Sequence, residues 1–97
     1  MSYPTLLPTI GNRLAEEIDD ELYKARSKNR PFNSSHEGYA VILEELDELW
    51  EEVRKKRSER DLEHMKRECI QIAAMSIRFI QDLIEEKGEK RDEPETT

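Results

Sequence analysis

The segment from Glu44 to Glu52 contains six carboxylates, and two of them have a spacing that suits metal binding. Glu45 and Glu48 are three residues apart, so on a helix they stand on neighbouring turns of the same face. Two carboxylates that face a third one repel each other unless a cation lies between them. Oxygen ligands of this kind favour Mg²⁺ or Mn²⁺. The alternative is a solvated acidic face, which we favour for Glu44 and Glu52.

A further carboxylate, Glu68, lies in a segment whose apolar residues form two neighbouring stripes on a helical wheel. The first stripe contains Leu62, Cys69, Ala73, Ile77, Ile80 and Ile84, and the second contains Met65, Ile72, Met75, Phe79 and Leu83. Because Glu68 projects among residues of the second stripe, we expect its carboxylate to be partly buried and to need a cation. That cation is either a basic side chain from another helix or a metal ion.

Three helices are predicted to position these acids, and each has a candidate N-terminal cap. Thr9 can cap the first helix, Ser34 forms a capping box with Glu37 before the second, and Ser58 with Asp61 resembles a cap before the third. The predicted helices cover about residues 10–27, 35–57 and 59–87. The resulting prediction is an all-α helical bundle with three main helices per chain.

The chain is predicted to form one domain over residues 10–88, with an irregular arm over residues 1–9 and a disordered charged tail over residues 89–97. The predicted core face of the second helix contains Tyr39, Ile42, Leu43, Leu46, Leu49, Trp50 and Val53. Trp50 and Phe79 are expected in the core and not at a stacking surface. Because the second and third helices have extra apolar flanks, we expect a homodimer, or a dimer of dimers forming a homotetramer, with a four-helix core.

The overall charge limits the classes of partner. A formal net charge of −7 disfavours binding to a nucleic-acid polymer. A single nucleotide stays compatible, because a bound divalent cation reverses the local charge. The single cysteine, Cys69, cannot form an internal disulfide, and the sequence has no apolar run near 20 residues and no signal-peptide pattern. These features predict a soluble, cytoplasmic protein that is not bound to a membrane.

The motif EELDE, from Glu44 to Glu48, resembles the EExxE motif of the MazG-like group of all-α nucleoside triphosphate pyrophosphohydrolases. That family has ExxD on the following helix, and here Glu68 follows Glu48 by twenty positions. The segment IQIAAMSI after Cys69 is also similar, and the resemblance covers about residues 10–84. The chain departs from the family pattern in ECIQ, where Gln71 stands in place of the aspartate.

The resemblance implies a metal site with one neutral member. The implied ligands are Glu45, Glu48, Glu68 and Gln71, the last as a neutral oxygen ligand. The loss of one negative charge is expected to weaken Mg²⁺ binding. Asp61 or His64, one to two turns before Glu68, could compensate, although an ordinary surface histidine is the simpler interpretation of His64.

The resemblance also implies a reaction, the Mg²⁺-dependent hydrolysis of a nucleoside triphosphate to a monophosphate and pyrophosphate. The implied catalytic residues are Glu44, Glu45, Glu48 and Glu68, with Glu44 positioning the attacking water or supporting the ligands. Lys24, Lys28 and Arg30 are candidates for holding phosphate, or are ordinary solvated charges. Such an enzyme would clear noncanonical or surplus nucleotides. The alternative function is a non-catalytic helical oligomer that binds a nucleotide, a metal or a protein partner.

Overall fold

The computed structural model describes residues 9–86, and in this range the chain is helical with no β-strand. The α-helices are α1 (Asn12–Lys28), α2 (Ser35–Val53) and α3 (Leu62–Phe79). A 3-10 turn, Arg57–Glu59, precedes α3, and a π-helical segment, Ile80–Glu85, continues it. The predicted all-α class with three main helices is therefore confirmed. Residues 1–8 of the predicted arm and the whole of the predicted tail lie outside the described residues.

Helix α3 is the central element, because it packs against both α1 and α2, which make few contacts with each other. Helix α2 runs antiparallel to α3, since Gly38 at its start lies against Phe79 and Glu52 near its end bonds to Asp61. At Gly38, a Cβ atom would come within 2.6 Å of Phe79 Cδ2, so only glycine permits this close approach of the two helices. No helix in the described range is long and apolar enough to cross a membrane.

The predicted cap of α2 is confirmed, whereas the other two helices begin differently from the prediction. Ser34 accepts a hydrogen bond from the backbone N–H of Glu37 at 3.1 Å. Helix α1 begins after Gly11, whose φ of 80° favours glycine, and not at Thr9. Helix α3 begins after Asp61, which accepts a hydrogen bond from the N–H of His64 at 3.1 Å. The prediction of Ser58 as a cap was wrong because this residue lies within the 3-10 turn.

The interior of the single chain is small. Its buried hydrophobic residues are Ala25, Phe32, Ala74 and Met75, with Leu22, Val41, Ile42, Phe79 and Leu83 partly buried against them. The second apolar stripe of α3 therefore supplies most of the contact within the chain. Phe79 belongs to this interior, as predicted.

A large part of the predicted core is exposed in the single chain. Trp50 is 58% exposed and Tyr39 is 62% exposed, so the prediction that both residues are buried was wrong for one chain. We define the apolar face as these exposed residues of α2, α3 and the π-helical segment: Tyr39, Leu43, Leu46, Trp50, Leu62, Ile80 and Ile84. These residues are exposed because α2 is rotated about its axis relative to the predicted orientation, so that Gly38 and Glu52 face the interior. A helical wheel locates an apolar stripe but does not say which side of it meets a neighbouring helix.

Candidate metal centre

Glu45 and Glu48 of α2 and Glu68 of α3 converge on one place. One carboxylate oxygen from each residue lies within 4.8 Å of the others. Glu45 and Glu48 reach this place from neighbouring turns of α2, and Glu68 reaches it from the middle of the antiparallel helix α3. Three of the predicted ligands are thus brought together by the packing of two helices.

Glu68 is the buried member of this cluster. Glu68 is 5% exposed, and its Oε1 atom has no hydrogen-bond partner among residues 9–86. Its Oε2 atom lies 3.6 Å from Nε2 of His64, beyond ordinary hydrogen-bond length. Within residues 9–86 no lysine or arginine forms an ion pair with Glu68. The basic partner that was the alternative to a metal is therefore absent from the described part of the chain.

The electrostatics of the cluster reflect crowding of negative charge. The pKa of Glu45 is raised to about 7, first by burial and then by a hydrogen bond with Glu68 and by the negative charges of Glu48, Glu68 and Glu44. The negative charge of Glu68 is also the main cause of the raised pKa of Glu48. Carboxylates in this arrangement either share protons or share a cation.

The donor set fits a hard divalent cation. It consists of carboxylate oxygens, one of them buried and unpaired, and it includes no sulfur ligand. Gln71 joins the set one turn after Glu68: with its amide nitrogen facing α2, it donates to Glu45 Oε1 at 2.6 Å and to Oε2 at 3.3 Å. In the other orientation of the amide, the carbonyl oxygen of Gln71 faces the Glu45 carboxylate. A cation between them would then be bound by both the amide oxygen and the carboxylate oxygen.

Asp61 and Glu52 have structural roles in the turn before α3. Asp61, one of two residues that could have compensated for Gln71, caps α3 and is not among the residues whose oxygens converge. Glu52 was expected on a solvated face, but it is 5% exposed and accepts hydrogen bonds from the Asp61 N–H at 2.7 Å and Lys55 Nζ at 3.1 Å. That part of the prediction was wrong because the 3-10 turn folds back over the end of α2. His64 is half-buried beside Glu68 and is not a fully exposed histidine.

A cleft of about 770 Å³ lies between the three helices, and Glu45 is the member of the acidic cluster that lines it. This volume lies in the range of small-molecule sites. The lining residues on which its chemistry depends are Glu44, Glu45 and Gln71 toward one end and Lys24, Lys28, Arg30 and Arg78 toward the other. The three basic residues predicted to hold phosphate therefore line the same cleft as two of the predicted catalytic acids.

Arg78 is a cleft residue that the sequence reasoning missed. It is 4% exposed, and its guanidinium lies 4.0 Å from the centroid of the Phe32 ring. It donates a hydrogen bond to the carbonyl oxygen of Arg30 at 3.1 Å. Arg78 thus holds the loop between α1 and α2 against α3. The available signal was a charged residue within an otherwise apolar stretch of α3.

Asp82 fixes the same loop from the π-helical segment. Its Oδ2 atom accepts a hydrogen bond from the backbone N–H of Phe32 at 2.9 Å, and its Oδ1 atom accepts one from Arg26 at 3.0 Å. Asp82 is 5% exposed, so these bonds satisfy a buried charge. Together with Arg78, it determines where Arg30 stands at the mouth of the cleft.

Comparisons of this chain with protein-family models, with curated proteins and with solved structures give no match. The resemblance to the MazG-like group therefore stays a prediction from the motif. A functional assignment has to rest on the acidic cluster and on the cleft beside it.

Proposed function

We propose that this protein is a MazG-like, Mg²⁺-dependent nucleoside triphosphate pyrophosphohydrolase. The observation that supports the proposal most strongly is the convergence of Glu45, Glu48 and Glu68 around a buried oxygen that has no hydrogen-bond partner between residues 9 and 86. One member of the cluster, Glu45, lines a cleft that is also lined by basic residues. A divalent cation and a polyphosphate are a pair of ligands that match these two features.

In this proposal the three carboxylates hold Mg²⁺, or Mn²⁺ in its place, and the amide oxygen of Gln71 is a neutral ligand beside Glu45. When bound, the ion neutralises charge on the phosphate oxygens and makes a coordinated water easier to deprotonate. Glu44 lines the cleft one residue before Glu45, where its carboxylate can orient the attacking water. The products are a nucleoside monophosphate and pyrophosphate, and the cellular role is the removal of unwanted nucleotides.

We further propose that two copies of the chain associate through the apolar face. The interior of one chain contains only four buried hydrophobic residues among those described, whereas large side chains such as Trp50 and Leu46 are exposed. An antiparallel α2–α3 pair from each copy would cover this face and form a four-helix core. The burial of these side chains would supply the stabilisation that the small interior lacks.

The enzymatic proposal is tested by incubating the protein with the common NTPs and dNTPs in Mg²⁺ or Mn²⁺ and separating pyrophosphate from phosphate. We expect metal-dependent release of pyrophosphate that Glu48→Ala abolishes. Glu51→Ala is the matched control, since Glu51 is an exposed acid on the same helix that forms an ion pair with Arg54. If folded protein with excess metal released no pyrophosphate from any of these nucleotides, the enzymatic proposal would be contradicted.

The alternative is a non-catalytic helical oligomer that binds a metal, a nucleotide or a protein partner. Gln71 favours it, because a neutral side chain, whose amide nitrogen bonds to Glu45 when it faces α2, stands in place of the acid of the family motif. The same assay separates the two functions when it is combined with a binding measurement. Nucleotide binding that requires metal but gives no turnover would identify the binding protein.

A further inference from the structure

We propose that the cleft has two ends of opposite charge and that its cationic end binds the terminal phosphates of a polyphosphate directly, without a metal. We define the cationic end as Lys24, Lys28, Arg30 and Arg78. The inference rests on the proposed function for the identity of the substrate as a nucleotide. The binding of an anion by these residues is a separate property that can be measured without turnover.

The two ends are separated along α3. Gln71, which contacts Glu45, and Arg78, which contacts the Arg30 carbonyl, are seven residues apart on this helix. At 1.5 Å per residue they are about 10 Å apart along the axis. An extended triphosphate group spans a distance of the same order. One end of the substrate chain can therefore lie at the acidic cluster while the other lies at the cationic end.

The lysines of the cationic end have no partners within the described range. Lys24 and Lys28, one turn apart on α1, form no ion pair with any residue between 9 and 86. Both line the cleft, so their ammonium groups are available to an anion. The chain has a net charge of −7, so acidic side chains that could pair with lysine are abundant, yet these two lysines form no such pair in the described range.

Arg78 adds a buried positive charge behind the lysines. No carboxylate between residues 9 and 86 forms an ion pair with it, and in that range its Nε atom has no hydrogen-bond partner. The charges of Asp82 and Glu37 act on Arg78 from a longer distance, but both carboxylates are engaged by other donors. The positive charge of Arg78 is therefore neutralised only in part, and an anion bound nearby would be stabilised by it.

Two carboxylates also face the cleft and have to be considered. Glu37 is engaged by Arg30 at 2.9 Å and by the N–H of Asn33, so it neutralises Arg30 in part. Glu21 lies one turn before Lys24, and both residues border Gln71 in a neighbouring pocket, so Lys24 stands between the two ends of the cleft and Glu21 offsets part of its charge. The free lysines are therefore the main determinants of anion binding.

The lining favours recognition of phosphate over recognition of the base. Phe32 is the aromatic residue among the described lining residues, and it is 3% exposed beneath Arg78. It offers no ring face on which a base can stack. We therefore expect affinity to rise with the number of phosphates and to vary little with the base.

The test is calorimetric titration of the full chain with inorganic tripolyphosphate in metal-free buffer. We expect binding by the wild type and at least about tenfold weaker binding by the Lys24→Gln/Lys28→Gln double variant, a loss of ~1.4 kcal/mol. Lys56→Gln/Arg57→Gln is the control, since it removes the same charge from the turn between α2 and α3. Far-ultraviolet circular dichroism of each variant establishes that it is folded.

An exposed acid outside the cluster provides a second control. Glu51→Ala is expected to leave metal-free tripolyphosphate binding unchanged. Absence of binding by the wild type, or an equal loss in the Lys56→Gln/Arg57→Gln control, would overturn the inference. Turnover without metal-free anion binding would refute this inference alone. Anion binding without any hydrolysis would refute the enzymatic proposal alone.

Discussion

The amide nitrogen of Gln71, when it faces α2, lies 2.6 Å from Oε1 of Glu45, so the neutral member of the cluster bonds to an acid with a raised pKa. This contact links α3 to α2 one turn after Glu68. It also places the side chain of Gln71 where a fourth carboxylate would face the other three.

Replacement of Gln71 by aspartate should strengthen metal binding and weaken the metal-free fold. The new charge adds a ligand for a divalent cation, and we expect Mn²⁺ affinity to rise by about tenfold. Without metal, the fourth negative charge and the lost amide donor should lower the melting temperature. Calorimetry and thermal melts measure the two effects. Gln71→Asn is the control, and an unchanged Mn²⁺ affinity in Gln71→Asp would contradict the assignment of this position.

Glu68→Gln should stabilise the metal-free protein and abolish its response to metal. The charge of Glu68 raises the pKa of both Glu45 and Glu48, so its removal relieves repulsion at both residues. We expect a gain of about 1 kcal/mol in the free energy of unfolding. Urea denaturation with and without Mn²⁺ measures both effects. Glu51→Gln should change neither, and a variant that still gained stability from Mn²⁺ would argue against Glu68 as a ligand.

The pH dependence of stability should have a definite sign in metal-free buffer. The pKa of Glu45 is about 7 in the folded chain and has a reference value of 4.5, so between these values the folded state binds more protons than the unfolded state. Stability from this group is therefore present below pH 4.5 and is lost as the pH rises toward 7.

Thermal melts across this range test the sign, and Glu45→Gln should flatten the dependence. Mn²⁺ should restore stability at pH 8 more than at pH 6, because it binds the ionised carboxylates. If Mn²⁺ did not change the dependence of the melting temperature on pH, or if Glu45→Gln had the same dependence as the wild type, the assignment of Glu45 to a metal-binding cluster would be contradicted.

Asp82→Asn should loosen the loop between α1 and α2. The buried carboxylate accepts bonds from the Phe32 N–H and from Arg26, and an amide cannot satisfy both donors equally. We expect a loss of about 1–3 kcal/mol in unfolding free energy by urea denaturation. Glu85→Gln, an exposed acid of the same π-helical segment, is the control. If both substitutions lowered the unfolding free energy equally, Asp82 would not be the residue that holds this loop in place.

Charges placed on the apolar face should dissociate the assembly. Leu46→Glu/Trp50→Glu puts two carboxylates where we propose that a second copy packs, and sedimentation should then give monomers from a dimeric or tetrameric wild type. Tyr23→Glu is the control, because Tyr23 is 73% exposed on α1 and lies outside this face. A monomeric wild type would refute the proposed association.

The parts of the fold that follow from local chemistry were predictable. Ser34 with Glu37 gave the start of α2, and the apolar stripes gave three helices. These features depend on neighbours within a few turns of one helix, which a sequence displays directly. Whether Glu45, Glu48 and Glu68 converge was left open by the sequence, because it depends on how α2 packs against α3.

The parts that depend on contacts between distant segments were not predictable. The interior role of Glu52 depends on the Asp61 N–H, which the 3-10 turn brings to it. Arg78 and Asp82 depend on a loop about fifty residues earlier in the chain. A single sequence gives the type of such residues but not the backbone group that each will meet.

The most direct test of the central claim is Mn²⁺ binding followed by electron paramagnetic resonance at pH 8, with the wild type and Glu48→Ala compared. The cluster of Glu45, Glu48 and Glu68 predicts at least one bound ion per chain in the wild type and a large loss in the variant. Wild-type protein that binds no Mn²⁺, or a variant that binds it equally well, would contradict the account.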